Sequence, residues 1–228
     1  IDLSGRRADV FVARHDDHLA AVDAALAGIG GLGFVKRGDR VVLKVNTNSG
    51  DGYPYSTSPD VVRHLGQQLR QRGATVLVGD RSFWGDEGTA DNFERNGIAR
   101  AAKDVGAELL VFDGDIGWVA IPSKLVPDWT GPVRLPRAVV EADHVFNLPC
   151  VKTHFITGFT MALKNVLGLV HPEDRRRPGN LRSHHPERIH RQIAQISRFF
   201  KPSLTLLDGH RALISGGPTP ESGNSPTI

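Results

Sequence analysis

Apolar positions along the chain change period several times, and each change marks an element. Leu19, Val22, Leu26 and Ile29 recur at helical spacing and predict an amphipathic helix, preceded by a short β-prone stretch from Asp9 to Ala13. Arg40-Val41-Val42-Leu43-Lys44-Val45 reads as a buried strand. Ser58-Pro59 supplies an N-cap with proline at the first helical position, Val61, Val62, Leu65 and Leu69 line one face, and Gly73 closes that helix. Thr75 to Gly79 is the next strand; Thr89 caps a helix that breaks near Gly97, and Leu109 to Phe112 forms a third strand. Such alternation predicts parallel pairing through right-handed crossovers.

From Gly114 to Pro136 the periodicity degrades, and Trp118 to Ile121 and Val133 to Leu135 suggest an inserted ribbon or a second lobe. A strand is expected from Asp143 to Leu148, then a helix over Thr160 to Val166. Ile189, Ile193, Ile196 and Phe200 mark another helix face, and a last strand runs from Leu204 to Leu207. The expected fold is α/β: a mostly parallel sheet with helices on both faces and a smaller lobe from about residue 114 onward. Residues 1–113 and 114–228 are its two parts, either separate or packed as one continuous domain.

Composition narrows the function. The 228 residues carry 28 basic and 25 acidic side chains, a net charge of +3 that gives no ground for nucleic-acid binding. A single cysteine, Cys150, excludes an iron–sulfur cluster or a disulfide framework within this chain. No apolar run approaches the roughly 20 residues of a membrane span. The chain starts at Ile1 and stops in a turn-rich stretch after Gly216. The expectation is a cytoplasmic protein that continues past Ile228, with secretion left open.

Familiar motifs fail on context. Gly28-Ile29-Gly30-Gly31-Leu32-Gly33 has dinucleotide-loop spelling but follows a helix and leads into a strand, the reverse of what pyrophosphate binding requires. No Walker loop and no nucleophile elbow occur. Arg175-Arg176-Arg177, beside Glu173 and Asp174, reads as a solvated loop.

The chemistry gathers where strands end, because α/β sheets bind ligands at their carboxyl edge. Asn46, Asp80, the Lys152-Thr153-His154 segment and Asp208 all follow predicted strands. Lys164, among Met161, Ala162, Leu163, Val166 and Leu167, either snorkels to solvent or is held in a polar pocket, where burial lowers a lysine's pKa and suits it to proton transfer or covalent work; the adjacent Asn165 and nearby Lys152 and His154 favour the pocket. Lys152, His154 and Lys164 are the candidate catalytic residues; Asn46, Asp80, Asn165 and Asp208 are candidates for substrate or cofactor binding. A divalent metal would take His184 or His185, with His154 and Asp80 or Asp208 as further donors. Between His171 and Arg191 the chain packs four histidines and six arginines.

These residues resemble a known family, catalogued as domain of unknown function 362. The resemblance rests on Val42-Leu43-Lys44-Val45-Asn46, Ser58-Pro59-Asp60, Arg72-Gly73-Ala74, Val78-Gly79-Asp80, Ala142 to Pro149, Lys152-Thr153-His154, Ala162 to Gly168, Leu207-Asp208-Gly209 and Gly217-Pro218. Some members of that family are fused to ferredoxin-like modules, which implies an iron–sulfur protein as a partner. A fainter similarity, to nickel-pincer lactate racemases, rests on His154, Gly158-Phe159, Lys164 and Gly168 followed by His184 or His185. It implies Lys164 as a cofactor anchor, His154 as an acid–base residue and His184 or His185 as metal ligand. Where those racemases place a second catalytic histidine, this chain has Asp80-Arg81-Ser82. Two functions follow as expectations: an enzyme acting on a small anionic substrate, isomerase-like or redox, or an accessory module that docks an iron–sulfur partner through its arginine-rich segment.

Overall fold

A computed structural model describes residues 9–82, 88–177, 180–181 and 187–218. The elements in chain order are α1 (His18–Gly28), β1 (Arg40–Lys44), α2 (Pro59–Gln71), β2 (Thr75–Asp80), α3 (Thr89–Arg95), α4 (Ile98–Asp104) and β3 (Glu108–Val111). They continue with β4 (Trp118–Ile121), β5 (Val133–Pro136), α5 (Arg137–Val140), β6 (His144–Asn147), β7 (Cys150–His154) and β8 (Gly158–Thr160). After a 3₁₀ turn over Lys164–Leu169 come α6 (Pro172–Arg175), β9 (Arg176–Arg177), β10 (Asn180–Leu181), α7 (Ile189–Ser197), β11 (Leu204–Thr205) and β12 (Asp208–Leu213).

Five strands form one parallel sheet in the order β11-β6-β1-β2-β3, so the α/β architecture read from the sequence is what the chain adopts. Strand alternation divides two cores between its faces. Val41, Leu43, Val76, Val78 and Phe146 pack under α1, α2 and α4, whereas Val42, Leu77 and Val145 face α7, the 3₁₀ turn and the β4–β5 ribbon. Ser58 caps α2 by accepting from the Val61 N–H, and Gly73 ends it at φ +81°, a conformation that glycine adopts without a Cβ clash. The Gly28–Gly33 stretch is a helix end followed by turns.

Several local expectations are corrected. Thr160 pairs with Lys152 in the antiparallel β7–β8 ladder, so no helix covers Thr160 to Val166; the chain turns only afterwards, and it tightens into 3₁₀ geometry through Val166 N–H to Leu163 C=O (3.3 Å). Leu204 to Leu207 is not the last strand. β11 follows β6 only as far as Thr205; the Leu206 and Asp208 N–H groups then bond to the carbonyls of Asn147 and Pro149, which carries the chain onto β7 as β12. Asp9 to Ala13 finds no ladder partner and stays irregular, with Val10 and Val12 exposed and Phe11 lying over Gly28. Thr89 begins α3 rather than capping it, because its hydroxyl accepts from the Ser82 N–H (3.0 Å) and Gly88 takes the cap position.

No helix among the described residues is long and apolar enough to cross a membrane. Leu65 is fully buried between α2 and the sheet. Leu65→Ala should lower the unfolding free energy by about 2–5 kcal/mol in a urea titration, whereas Val10→Ala should leave it within about 0.5 kcal/mol.

Candidate functional site

The chain lays β2 and β3 on one side of β1, then returns to place β6 and β11 on the other. A crevice opens where that order reverses, at the carboxyl ends of β1 and β6. Asn165, from the 3₁₀ turn, plugs it. Its Nδ2 donates to Asn147 Oδ1 (2.8 Å) and to the Val45 carbonyl (3.3 Å), and its Oδ1 accepts from Lys44 Nζ (3.2 Å). Lys44 also donates to the Val45 carbonyl (2.7 Å) and forms an ion pair with Asp80 Oδ1 (2.8 Å). The other Asp80 oxygen accepts from the Thr47 N–H (2.7 Å). Lys44 and Asp80 are both buried; desolvation holds Lys44 below an ordinary lysine, against the pull of the Asp80 carboxylate. Gly168 leaves room for the pair, since a Cβ there would land on Asp80 Oδ1.

Above this network lies a cavity of about 50 Å³, lined among others by Lys152, His154, Lys164, Asn165, Arg175 and Asp80. Lys152, on β7, is buried and donates to Asn46 Oδ1 (2.7 Å) and to the Tyr55 carbonyl (2.6 Å). An ammonium has three donors, so one remains to point elsewhere. Burial lowers the Lys152 pKa, with Cys150 and Asp80 opposing.

Two backbone donors, Ile156 N–H (3.1 Å) and Thr157 N–H (3.4 Å), converge on His154 Nδ1. Burial, then Lys164 and Lys152, push its pKa down to about 3, so at neutral pH His154 is uncharged, with its proton on Nε2. Lys164 is different again: it is half-buried, and among the described residues its ammonium meets no hydrogen-bond acceptor and no carboxylate. Burial first, then Lys152 and Arg175, lower its pKa to about 7.

Six of the residues singled out from sequence therefore share this cavity: Asn46, Asp80, Lys152, His154, Lys164 and Asn165. Asp208 does not line it. Its carboxylate is engaged by His18 Nε2 (2.9 Å) and the Tyr53 hydroxyl (2.9 Å), at the start of β12. His184 and His185 lie outside the described residues. Arg175, read as part of a solvated loop, is instead buried against the cavity, because Pro172–Arg175 forms a helical turn that directs it inward. Lys44 and Asn147 also went unnoticed as site residues. The signal was present for both: a lysine and an asparagine closing strands whose middle residues are apolar.

A divalent cation does not fit the described donor set. No three His, Cys, Asp or Glu side chains come together among the described residues, and the carboxylate that lines the cavity is already matched by Lys44. The surrounding Lys152, Lys164 and Arg175 favour negative charge.

The chain is 32% identical over 211 residues to the thylakoid-associated protein sll1697 of Synechocystis sp., an alignment covering 88% of this chain and 61% of that protein. This chain thus spans less than two thirds of its relative's length. The model of the family described as domain of unknown function (DUF362) matches residues 41–227, and the chain belongs to that family.

Proposed function

We propose that the chain is an enzyme that binds a small anionic substrate, a carboxylate or phosphate, in this cavity and uses Lys164 for proton transfer. One observation carries the reading: four cationic side chains, Arg81, Lys152, Lys164 and Arg175, line a cavity whose one acidic lining residue, among those described, is tied to Lys44, and of the four Arg81 is paired with Asp113. Lys152 and Arg175 supply positive charge from buried positions, the neutral imidazole of His154 lines the same space, and Lys164 titrates where it can both accept and return a proton at neutral pH. At roughly 10–15 Å³ for each water, 50 Å³ suits a ligand of a few heavy atoms.

The likeness of His154, Gly158-Phe159, Lys164 and Gly168 to lactate racemases supports a carboxylate. The pincer nucleotide of those enzymes would need far more room, since cofactor pockets run to ~300–1,000 Å³ and the described residues line about 50 Å³. The reading as a module that docks an iron–sulfur protein loses Arg175 from its docking surface, since that side chain is buried.

Titration calorimetry with acetate and inorganic phosphate tests the assignment. A charge-assisted contact is worth about 1.5–3 kcal/mol, so Lys152→Met should weaken binding roughly tenfold to a hundredfold. Unchanged affinity would remove Lys152 from the site. Binding by the wild-type protein should also weaken as pH rises from 6 to 9, as Lys164 loses its proton.

Stability should show the same group. Folded Lys164 holds its proton to about pH 7, the unfolded chain to about 10.5, so between these values unfolding takes up a proton and stability rises with pH. The burden of burying that charge is complete below pH 7. Lys164→Met should therefore have its largest Tm advantage over the wild type at pH 6, and the difference should shrink towards pH 10. A Tm difference that stays constant from pH 6 to 10 would contradict the lowered pKa.

A further inference from the structure

The geometry points to Lys164 as an amine nucleophile that forms an imine with the carbonyl carbon of a 2-oxo carboxylate whose carboxylate sits against Lys152 and Arg175. The inference rests on the anion site proposed above and names the class of compound it takes.

The three lysines at the sheet's carboxyl edge differ in what they can do. Lys44 is held by Asp80, Asn165 and the Val45 carbonyl, so its amine has no freedom to react. Lys152 is anchored by Asn46 and the Tyr55 carbonyl and can offer an incoming carboxylate one remaining N–H. Lys164 has neither an ion pair nor a hydrogen-bond partner among the described residues, and it lines the same cavity as Lys152 and Arg175. A desolvated lysine next to other cations is the arrangement that makes an amine nucleophilic near neutral pH.

The division of labour requires two groups on one small ligand: an anionic end for the two buried cations and an electrophilic carbon for the amine. A 2-oxo carboxylate places these groups on adjacent carbons, within the span of a cavity of about 50 Å³.

The step balances without an oxidant or reductant. The unprotonated Lys164 nitrogen adds to the carbonyl carbon, forming a C–N bond, and its proton passes to the former carbonyl oxygen. The resulting carbinolamine loses that oxygen as water after one further protonation, leaving a C=N bond. The iminium withdraws electrons from the neighbouring carbon, so a proton there becomes exchangeable.

Borohydride trapping with pyruvate tests this on the full chain. The expected result is a stable reduced adduct after treatment at pH 7.5, mapped by peptide mass spectrometry to Lys164, absent without pyruvate, absent in Lys164→Arg and suppressed by excess acetate. Trapping should rise with pH around a midpoint near 7 rather than near the value of a surface lysine. Labelling spread evenly over exposed lysines such as Lys36 and Lys103, or no adduct on Lys164, overturns the inference. Calorimetry with acetate separates the two levels of the argument. Acetate binding without an adduct rejects the imine and leaves the anion site standing, whereas absence of both rejects the two together.

Discussion

The ion pair between Lys44 and Asp80 is the constraint around which the carboxyl edge of the sheet is organised. Both side chains are withdrawn from water, and the desolvation of two such ions is repaid only if their remaining donors and acceptors find partners. Those partners come from three pieces of chain: the Val45 carbonyl and Thr47 N–H just past β1, the Asn165 amide and, through that amide, Asn147. The 3₁₀ turn must sit close enough to deliver Asn165, and that proximity is what forbids a side chain at position 168. Removing either charge alone would leave the other buried and uncompensated, a loss of about 3–5 kcal/mol by general experience.

The pair also sets the sign of the cavity above it. Asp80 would otherwise be the natural counter-ion for Lys152, Lys164 or Arg175. Held by Lys44, it is the one carboxylate among the described residues that line the space shared by Lys152, Lys164 and Arg175. On the anion site proposed above, a bound anion would relieve the repulsion among these cations.

Elements whose local chemistry agrees with their tertiary setting were legible from sequence. The apolar run of β1, the Ser58-Pro59 start and Gly73 stop of α2, and the strand ends that bring Asn46 and Asp80 to one edge are of this kind. What was not legible depended on distant pairing. Met161 to Leu167 has helix-compatible spacing, but Thr160 is committed to a ladder with Lys152, and no local signal reports that. Arg175 belongs to a run of arginines whose composition says surface; its burial depends on the short turn that precedes it and on the cavity it meets. Asp208 carried the right residue type at the end of a strand, yet the switch of sheets from β11 to β12 delivers it to His18 and Tyr53 instead.

The behaviour of Lys164 depends on which of its surroundings persists when a ligand enters. A carboxylate seated against Lys152 and Arg175 cancels part of their repulsion and, taken alone, would raise the Lys164 pKa. Burial, however, is the larger cause of its depression, and a ligand that displaces water from the cavity deepens burial. The two changes oppose each other, so the amine keeps a substantial unprotonated fraction near neutrality only if the anionic charge stays at the Lys152 side. A ligand carrying a second negative charge next to Lys164 would instead protonate it and bind as a tightly held but unreactive ion. On the proposed site, the cavity would then discriminate by where a ligand places its charge as well as by how much it carries.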